Sequence, residues 1–303
     1  MKKFPVEKIC LLILVLCWSF APTAAQSRRS ATGTLDSEGT ILSVVASRTD
    51  KAGEPIKTEN LFLYENGIEQ KIKNFSFDPS PAKILVMVDN SQTVRADLEL
   101  LKKATMEFAY EIFDGDQLFI IGYDEKAEII QEWTDDAKKI ETSVNAFRKK
   151  GNPFLFDSLN ASVSEILLPL MPGTRKTVVV LIGDGLDRGS KISFDKVLGD
   201  LQNQNVTVYA LQIPDRTGGA FRRNQPKANQ VIEQLTEGTG GRVFPIEEAQ
   251  TAAKFICDEL KKNRYLLNYL PTNMSSYEAR RVFLIGDEGI SLRTKTAQPP
   301  NVK

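Results

Sequence analysis

Two hydrophobic rhythms divide this chain. In its middle part the apolar residues come in unbroken blocks: Ile84-Leu85-Val86-Met87-Val88, then Leu118-Phe119-Ile120-Ile121, then Val178-Val179-Val180-Leu181-Ile182. Blocks of this length without alternation suit strands buried on both faces. Residues 206–213 and 242–244 read as further strands, and 127–133 as a short edge strand. Between the blocks the apolar spacing changes to that of helices. Leu98, Leu101, Ala104, Phe108 and Ile112 fall on one stripe, as do Phe194, Val197, Leu198 and Leu201. Helices are predicted over 94–113, 136–148, 154–168, 192–203, 227–237 and 247–262. Strands alternating with helices predict a Rossmann-like, doubly wound α/β fold with a mostly parallel sheet over residues 82–262.

The flanks follow another rhythm. Residues 40–81 read as β-structure, with strands at 41–45 and 61–64 and turn composition at 50–55. Asn66-Gly67 is a hairpin signal leading into 68–77. Residues 263–297 are again β-rich, with strands at 265–269, 281–285 and 290–292, the last two joined by a turn at 286–289. The two β-rich segments are expected to pack together or against the α/β domain, ahead of a tail at 298–303.

The first 25 residues carry a different signal. Lys2 and Lys3 precede an apolar run of about twelve residues, too short to span a bilayer. Thr23-Ala24-Ala25 then supplies the small residues of a cleavage site. A signal peptide over 1–25, cleaved near Ala25-Gln26, predicts a secreted or periplasmic protein. Residues 26–39 read as a polar linker. No later segment is apolar enough to cross a membrane. A lipid anchor is disfavoured because Leu16, not a small residue, precedes Cys17.

Composition narrows the chemistry. The chain has no histidine. That excludes Ser-His-Asp and Cys-His hydrolases, His-ligated zinc and imidazole proton shuttles. Of three cysteines only Cys257 lies beyond the leader, on an apolar helix face where packing is the expected role. Without the leader, 36 basic and 38 acidic residues remain. A nearly neutral chain carries no electrostatic footprint for nucleic acid.

Ligands of open α/β sheets bind beyond the carboxyl ends of the strands, where the winding reverses. The first buried strand runs out into Asp89-Asn90-Ser91-Gln92-Thr93, and the fourth into Gly183-Asp184-Gly185. These strands are neighbours in a doubly wound sheet. Asp89, Ser91, Thr93 and Asp184 are therefore expected to converge as an oxygen-only site suited to a hard cation such as Mg²⁺.

These segments resemble the von Willebrand factor type A (VWA) family. Asp89-x-Ser91-x-Thr93 is similar to its metal-ion-dependent adhesion motif, and 181–185 to its second aspartate segment. The β-rich flanks resemble those of a bacterial VWA-related family. The resemblance implies Mg²⁺ or Mn²⁺ ligated directly by Ser91 and Thr93 and, through water, by Asp89 and Asp184. It implies a partner protein whose acidic residue completes the coordination. Residues 151–159 resemble the segment that normally brings a threonine ligand. Here Pro153 stands at that position, so the motif is degenerate, with the Asn152 amide as a substitute oxygen.

Two other readings stand beside this one. The scaffold can work without metal, by surface shape. Alternatively, Asp89-x-Ser91-x-Thr93 with Gly183-Asp184-Gly185-x-Asp187 echoes the haloacid dehalogenase phosphatases. There Asp89 would be the nucleophile, and Asp184 and Asp187 would hold Mg²⁺. Ser91 argues against it, since that chemistry needs a second carboxylate at position 91. Asp187 otherwise reads as a solvated loop acid, Asp157 as support for a helix dipole, and Gly238-Thr239-Gly240-Gly241 as a helix end. Arg216, Arg222, Arg223 and Lys227 form a basic loop read as solvated, with an acidic-partner contact as the alternative. The glycosylation patterns at Asn160 and Asn273 are expected to play no role.

Overall fold

The computed structural model describes residues 39–50, 54–171, 176–215, 225–272 and 278–300. The leader, most of the linker, Arg216, Arg222, Arg223 and the Asn273 pattern lie outside the described residues.

The apolar blocks build a six-stranded sheet. Its strands are β5 (Lys83–Asp89), β6 (Gln117–Tyr123), β7 (Ala127–Thr134), β8 (Thr177–Gly183), β9 (Thr207–Gln212) and β10 (Val243–Pro245), in the order β10-β9-β8-β5-β6-β7. Only β7 is antiparallel, at the edge beside β6. Every residue of β8 is buried, as is all of β5 after Lys83, which is why these strands lack alternation. The sheet is Rossmann-like and doubly wound. β5 has β6 on one side and β8 on the other, so the winding reverses there.

Helices cover both faces. α1 (Leu98–Glu111) and α6 (Ala249–Lys262) pack over Ile84, Val86, Val88 and Val180. α3 (Leu155–Ala161), α4 (Phe194–Asn203) and α5 (Ala228–Thr239) pack over Leu85, Met87, Val179 and Leu181. Asp97 and Ser193 cap α1 and α4 by accepting from the amides of Leu100 and Lys196. Two helices differ from expectation. α2 (Ala137–Ser143) ends early, and Phe147 reaches the core from the extended chain beyond a short 3₁₀ turn. α3 passes into a π turn over 162–167 and a 3₁₀ turn over 168–170, where Pro169 has no amide to continue the α ladder.

The β-rich flanks interleave. β1 (Thr40–Arg48), β4 (Ile72–Phe77), β11 (Arg264–Tyr269) and β13 (Ile290–Arg293) form one sheet, in the order β13-β1-β11-β4. β2 (Leu61–Glu65), β3 (Ile68–Gln70), β12 (Arg280–Gly286) and β14 (Ala297–Gln298) form another, in the order β14-β12-β2-β3. Each sheet thus takes strands from both sides of the α/β domain. Leu42, Val44, Leu61, Leu63, Leu267 and Val282 share one core between them, a β-sandwich. The Asn66-Gly67 hairpin forms as expected, with both residues at positive φ, 49° and 81°. The turn at 286–289 corrects an expectation. It does not join a hairpin, because β12 pairs with β2 while β13 pairs with β1. The chain crosses there from one sheet to the other.

Several polar groups inside the sandwich are paired. Glu65 accepts from Tyr269 Oη and forms an ion pair with Arg280 at 3.3 Å, all three being buried. At the junction with the α/β domain, Asp78 N donates to Arg264 O at 2.9 Å. The Arg264 guanidinium bridges Ser43 Oγ (2.7 Å) and Thr207 Oγ1 (2.9 Å). Lys295 Nζ donates to Gln202 O at 2.7 Å. No helix among the described residues is long and apolar enough to cross a membrane.

Candidate metal centre

β5 delivers Asp89 to the carboxyl edge of the sheet as its last residue. The loop that follows is held by Asp89 itself, whose Oδ1 accepts from Ser91 N at 2.8 Å. That turn brings Ser91 Oγ to 2.9 Å from Thr93 Oγ1. Asp184 leaves the adjacent β8, and its Oδ1 accepts from Leu186 N at 2.9 Å. Gly183 separates the two carboxylate loops. A Cβ there would lie 3.1 Å from Asp89 Cβ and 2.9 Å from Tyr123 Oη, so a side chain would crowd the space between them.

Asp89 and Ser91 are fully buried, Asp184 nearly so, and Thr93 is half-buried. Burial, reinforced by the charge of Asp184, pushes the Asp89 carboxyl up to about 7. Burial also raises Asp184, with Asp215 adding to the effect and Arg188 opposing it. Asp89 Oδ2 has no hydrogen-bond partner. Leaving a buried acceptor unmet costs about 1–3 kcal/mol, more for a charged group. An incoming cation would relieve both the orphaned oxygen and the carboxylate repulsion. Two carboxylates and two hydroxyls are the donor set a hard divalent ion takes, so these residues fit Mg²⁺ or Mn²⁺. Among the described residues no group of three or more His, Cys, Asp or Glu side chains could hold a metal. A centre here therefore relies on hydroxyl ligands.

A third loop closes against these two. Lys150 N donates to Asn90 O (2.8 Å), and Gln92 N to Gly151 O (3.1 Å). Arg188 N donates to Pro153 O at 2.8 Å. The segment with the degenerate position is thus in place beside the site, but Pro153 brings no side-chain oxygen and its carbonyl is engaged elsewhere.

Tyr123 is the residue that sequence reasoning missed. It ends an apolar run and reads as core. Its register partner across the parallel pair is Asp89, and that shared position at a strand end was the available signal. The buried hydroxyl lies close enough to Asp89 to lower its pKa slightly, yet finds no partner with hydrogen-bond geometry.

Asp187 corrects an expectation. It is buried, not solvated. Its Oδ1 accepts from Phe156 N (3.1 Å) and Ser190 Oγ, and its Oδ2 from Ser190 N (3.3 Å) and Gln225 Nε2 (3.1 Å). It pins the start of α3. Both oxygens are occupied there, which removes a carboxylate from the phosphatase reading. Asp157 likewise accepts from Lys191 N and Ile192 N, each at 2.9 Å, anchoring a loop as well as facing the helix start. Gly240 ends α5 in the left-handed conformation, as expected of that glycine run. Cys257 is buried, and burial pushes its thiol well above the usual range, which fits inert packing.

Residues 84–186, the stretch that holds Asp89, Ser91, Thr93 and Asp184, match the family model of the von Willebrand factor type A domain. Over that stretch the chain is similar to VWA domains, a class of modules that in general mediate protein interaction and adhesion and are not enzymes. No curated protein matches the chain. Solved structures similar to it are remote. One is an aerotolerance-related membrane protein of Bacteroides fragilis, 16% identical, covering 60% of this chain and 99% of its own, with a TM-score of 0.45. Another is a von Willebrand factor type A protein of Catenulispora acidiphila, 11% identical, covering 87% and 75%, with a TM-score of 0.49. A third is proximal thread matrix protein 1 of the mussel byssus, described with a zinc-occupied adhesion motif. It is 15% identical, covering 63% and 48%, with a TM-score of 0.45.

Proposed function

We propose that this protein is an exported, non-enzymatic VWA module that binds a partner protein through a divalent cation held by Asp89, Ser91, Thr93 and Asp184. The observation that carries the reading is the orphaned, fully buried Asp89 Oδ2, flanked by the paired hydroxyls of Ser91 and Thr93 and by the charge of Asp184. Ser91 and Thr93 would ligate Mg²⁺ or Mn²⁺ directly, and Asp89 and Asp184 through water. When bound, the cation supplies an open coordination position that accepts a carboxylate of the partner. The chain's own part is to hold the oxygens at the sheet edge, with the loop at 150–153 laced to the Asp89 loop behind them. Export rests on the pattern of residues 1–25.

A thermal-shift titration tests this. Mg²⁺ should raise the melting temperature of the wild type, by an amount equivalent to roughly 2–4 kcal/mol at 100 to 1,000 times its dissociation constant. Asp89→Ala should abolish the shift. A wild type indifferent to both Mg²⁺ and Mn²⁺ would leave a metal-free scaffold. Turnover of a generic phosphate ester that is lost in Asp89→Ala would instead favour the phosphatase.

A further inference from the structure

Across the molecule, most buried polar groups outside the candidate site are accounted for. Glu65 pairs with Arg280 and Tyr269, Asp187 holds α3, and Arg264 ties the sandwich to the α/β domain. Other buried atoms, such as Ser158 Oγ and Thr177 Oγ1, also lack a partner, but the unpartnered Tyr123 hydroxyl lies beside Asp89, whose Oδ2 is unpartnered too.

The arrangement is built by the sheet. Tyr123 and Asp89 occupy matching positions on neighbouring parallel strands, and Asn90 N donates to Tyr123 O at 2.8 Å just beyond them. The Tyr123 ring reaches past β5 to β8, where its oxygen lies 2.9 Å from the point that a Gly183 Cβ would occupy. Gly183, the residue before Asp184, leaves that volume open. A phenol oxygen is thereby delivered to the same volume that Asp89 Oδ2 borders. The third loop contributes no hydroxyl at Pro153.

We propose that Tyr123 is a positioning residue of the cation site: when a cation binds, its hydroxyl turns to donate to Asp89 Oδ2 and holds that carboxylate in place. The proposal rests on the cation reading above. Ligating groups elsewhere depend on such outer contacts, and removing one typically costs 10–100-fold in metal affinity.

The test uses the mature full-length chain, wild type and Tyr123→Phe, titrated with MgCl₂ and with MnCl₂. Both calorimetric affinity and melting temperature are read. Phenylalanine keeps the ring and removes only the oxygen. Without divalent cation, Tyr123→Phe should melt at or above the wild-type temperature, because an unpartnered hydroxyl has gone. Its cation affinity should fall about 10–100-fold. A residue serving packing alone would give the opposite split, with a lower cation-free melting temperature and unchanged affinity. In wild type, Mg²⁺ should also produce a tyrosine difference-absorption signal. This second reading keeps the proposal falsifiable if the variant fails to fold. If wild type binds and Tyr123→Phe binds equally well, or if no tyrosine signal accompanies binding, the role of Tyr123 is overturned while the cation reading stands. If wild type binds neither ion, both fall.

Discussion

Asp89 in the α/β domain and Glu65 in the sandwich are both buried carboxylates, but their surroundings differ. Glu65 faces a guanidinium and a phenol that donate to it, so its charge is matched within the chain. Asp89 faces a second carboxylate, and one of its oxygens meets nothing. A buried ion pair costs desolvation on both sides, and its usual return is a fixed geometry. An unmatched buried carboxylate has no such return within the fold. The contrast sets Glu65 apart as part of the architecture, while Asp89 belongs to the proposed cation site.

Removing one half of the matched pair should have the largest effect. Glu65→Ala strands Arg280 in the sandwich interior and should cost about 3–5 kcal/mol in urea denaturation. A loss below about 1 kcal/mol would erase the distinction between the two carboxylates. Asp89→Asn should do the reverse. With a chelator present, it removes an unmet buried charge and should gain about 1–3 kcal/mol. A destabilised Asp89→Asn would mean that the carboxylate is matched after all.

The remaining test concerns Lys295. Burial, assisted by Arg280 and opposed by Glu65, lowers its ammonium from 10.5 to about 7, and its nearest acceptor is Gln202 O. Between those values the unfolded chain binds more protons than the folded one, so stability should rise with pH over that window. The slope is at most about 1.4 kcal/mol per unit. Below about pH 7 that contribution is absent. Denaturation at pH 7, 8 and 9 should show this rise in wild type relative to Lys295→Met, and parallel curves would refute it.

Regions differ equally in how openly their residues announce the structure. Strands buried on both faces cannot alternate, so β5, β6 and β8 stand out as apolar blocks, and the helices between them follow. The juxtaposition of β5 with β8 comes from the winding rule, and with it the meeting of Asp89 and Asp184 loops. In the sandwich, by contrast, residues 281–292 disclose that strands exist but not whom they pair with. Alternation encodes a face, not a neighbour, and so the turn at 286–289 looked like a hairpin. Asp187 looked solvated because its acceptors' partners, such as Phe156 N, come from a helix start some thirty positions earlier. Tyr123 was hidden because a phenol at the end of an apolar run is indistinguishable from core until strand register is known.

The hydrogen bond between Asp78 and Arg264 carries a further consequence. It clamps the point where the chain enters the α/β domain to the point where it leaves. β1 finds its partner β11 only across that domain, with Ser43 and Arg264 in contact 221 positions apart. Closing so long a loop in an unfolded chain is slow. A domain that folds first with its two ends together behaves as a splint, handing the sandwich its distant strands already side by side. Force pulling those ends apart would be felt first between β4 and β11, where Phe77 pairs with Tyr265 directly beside the clamp.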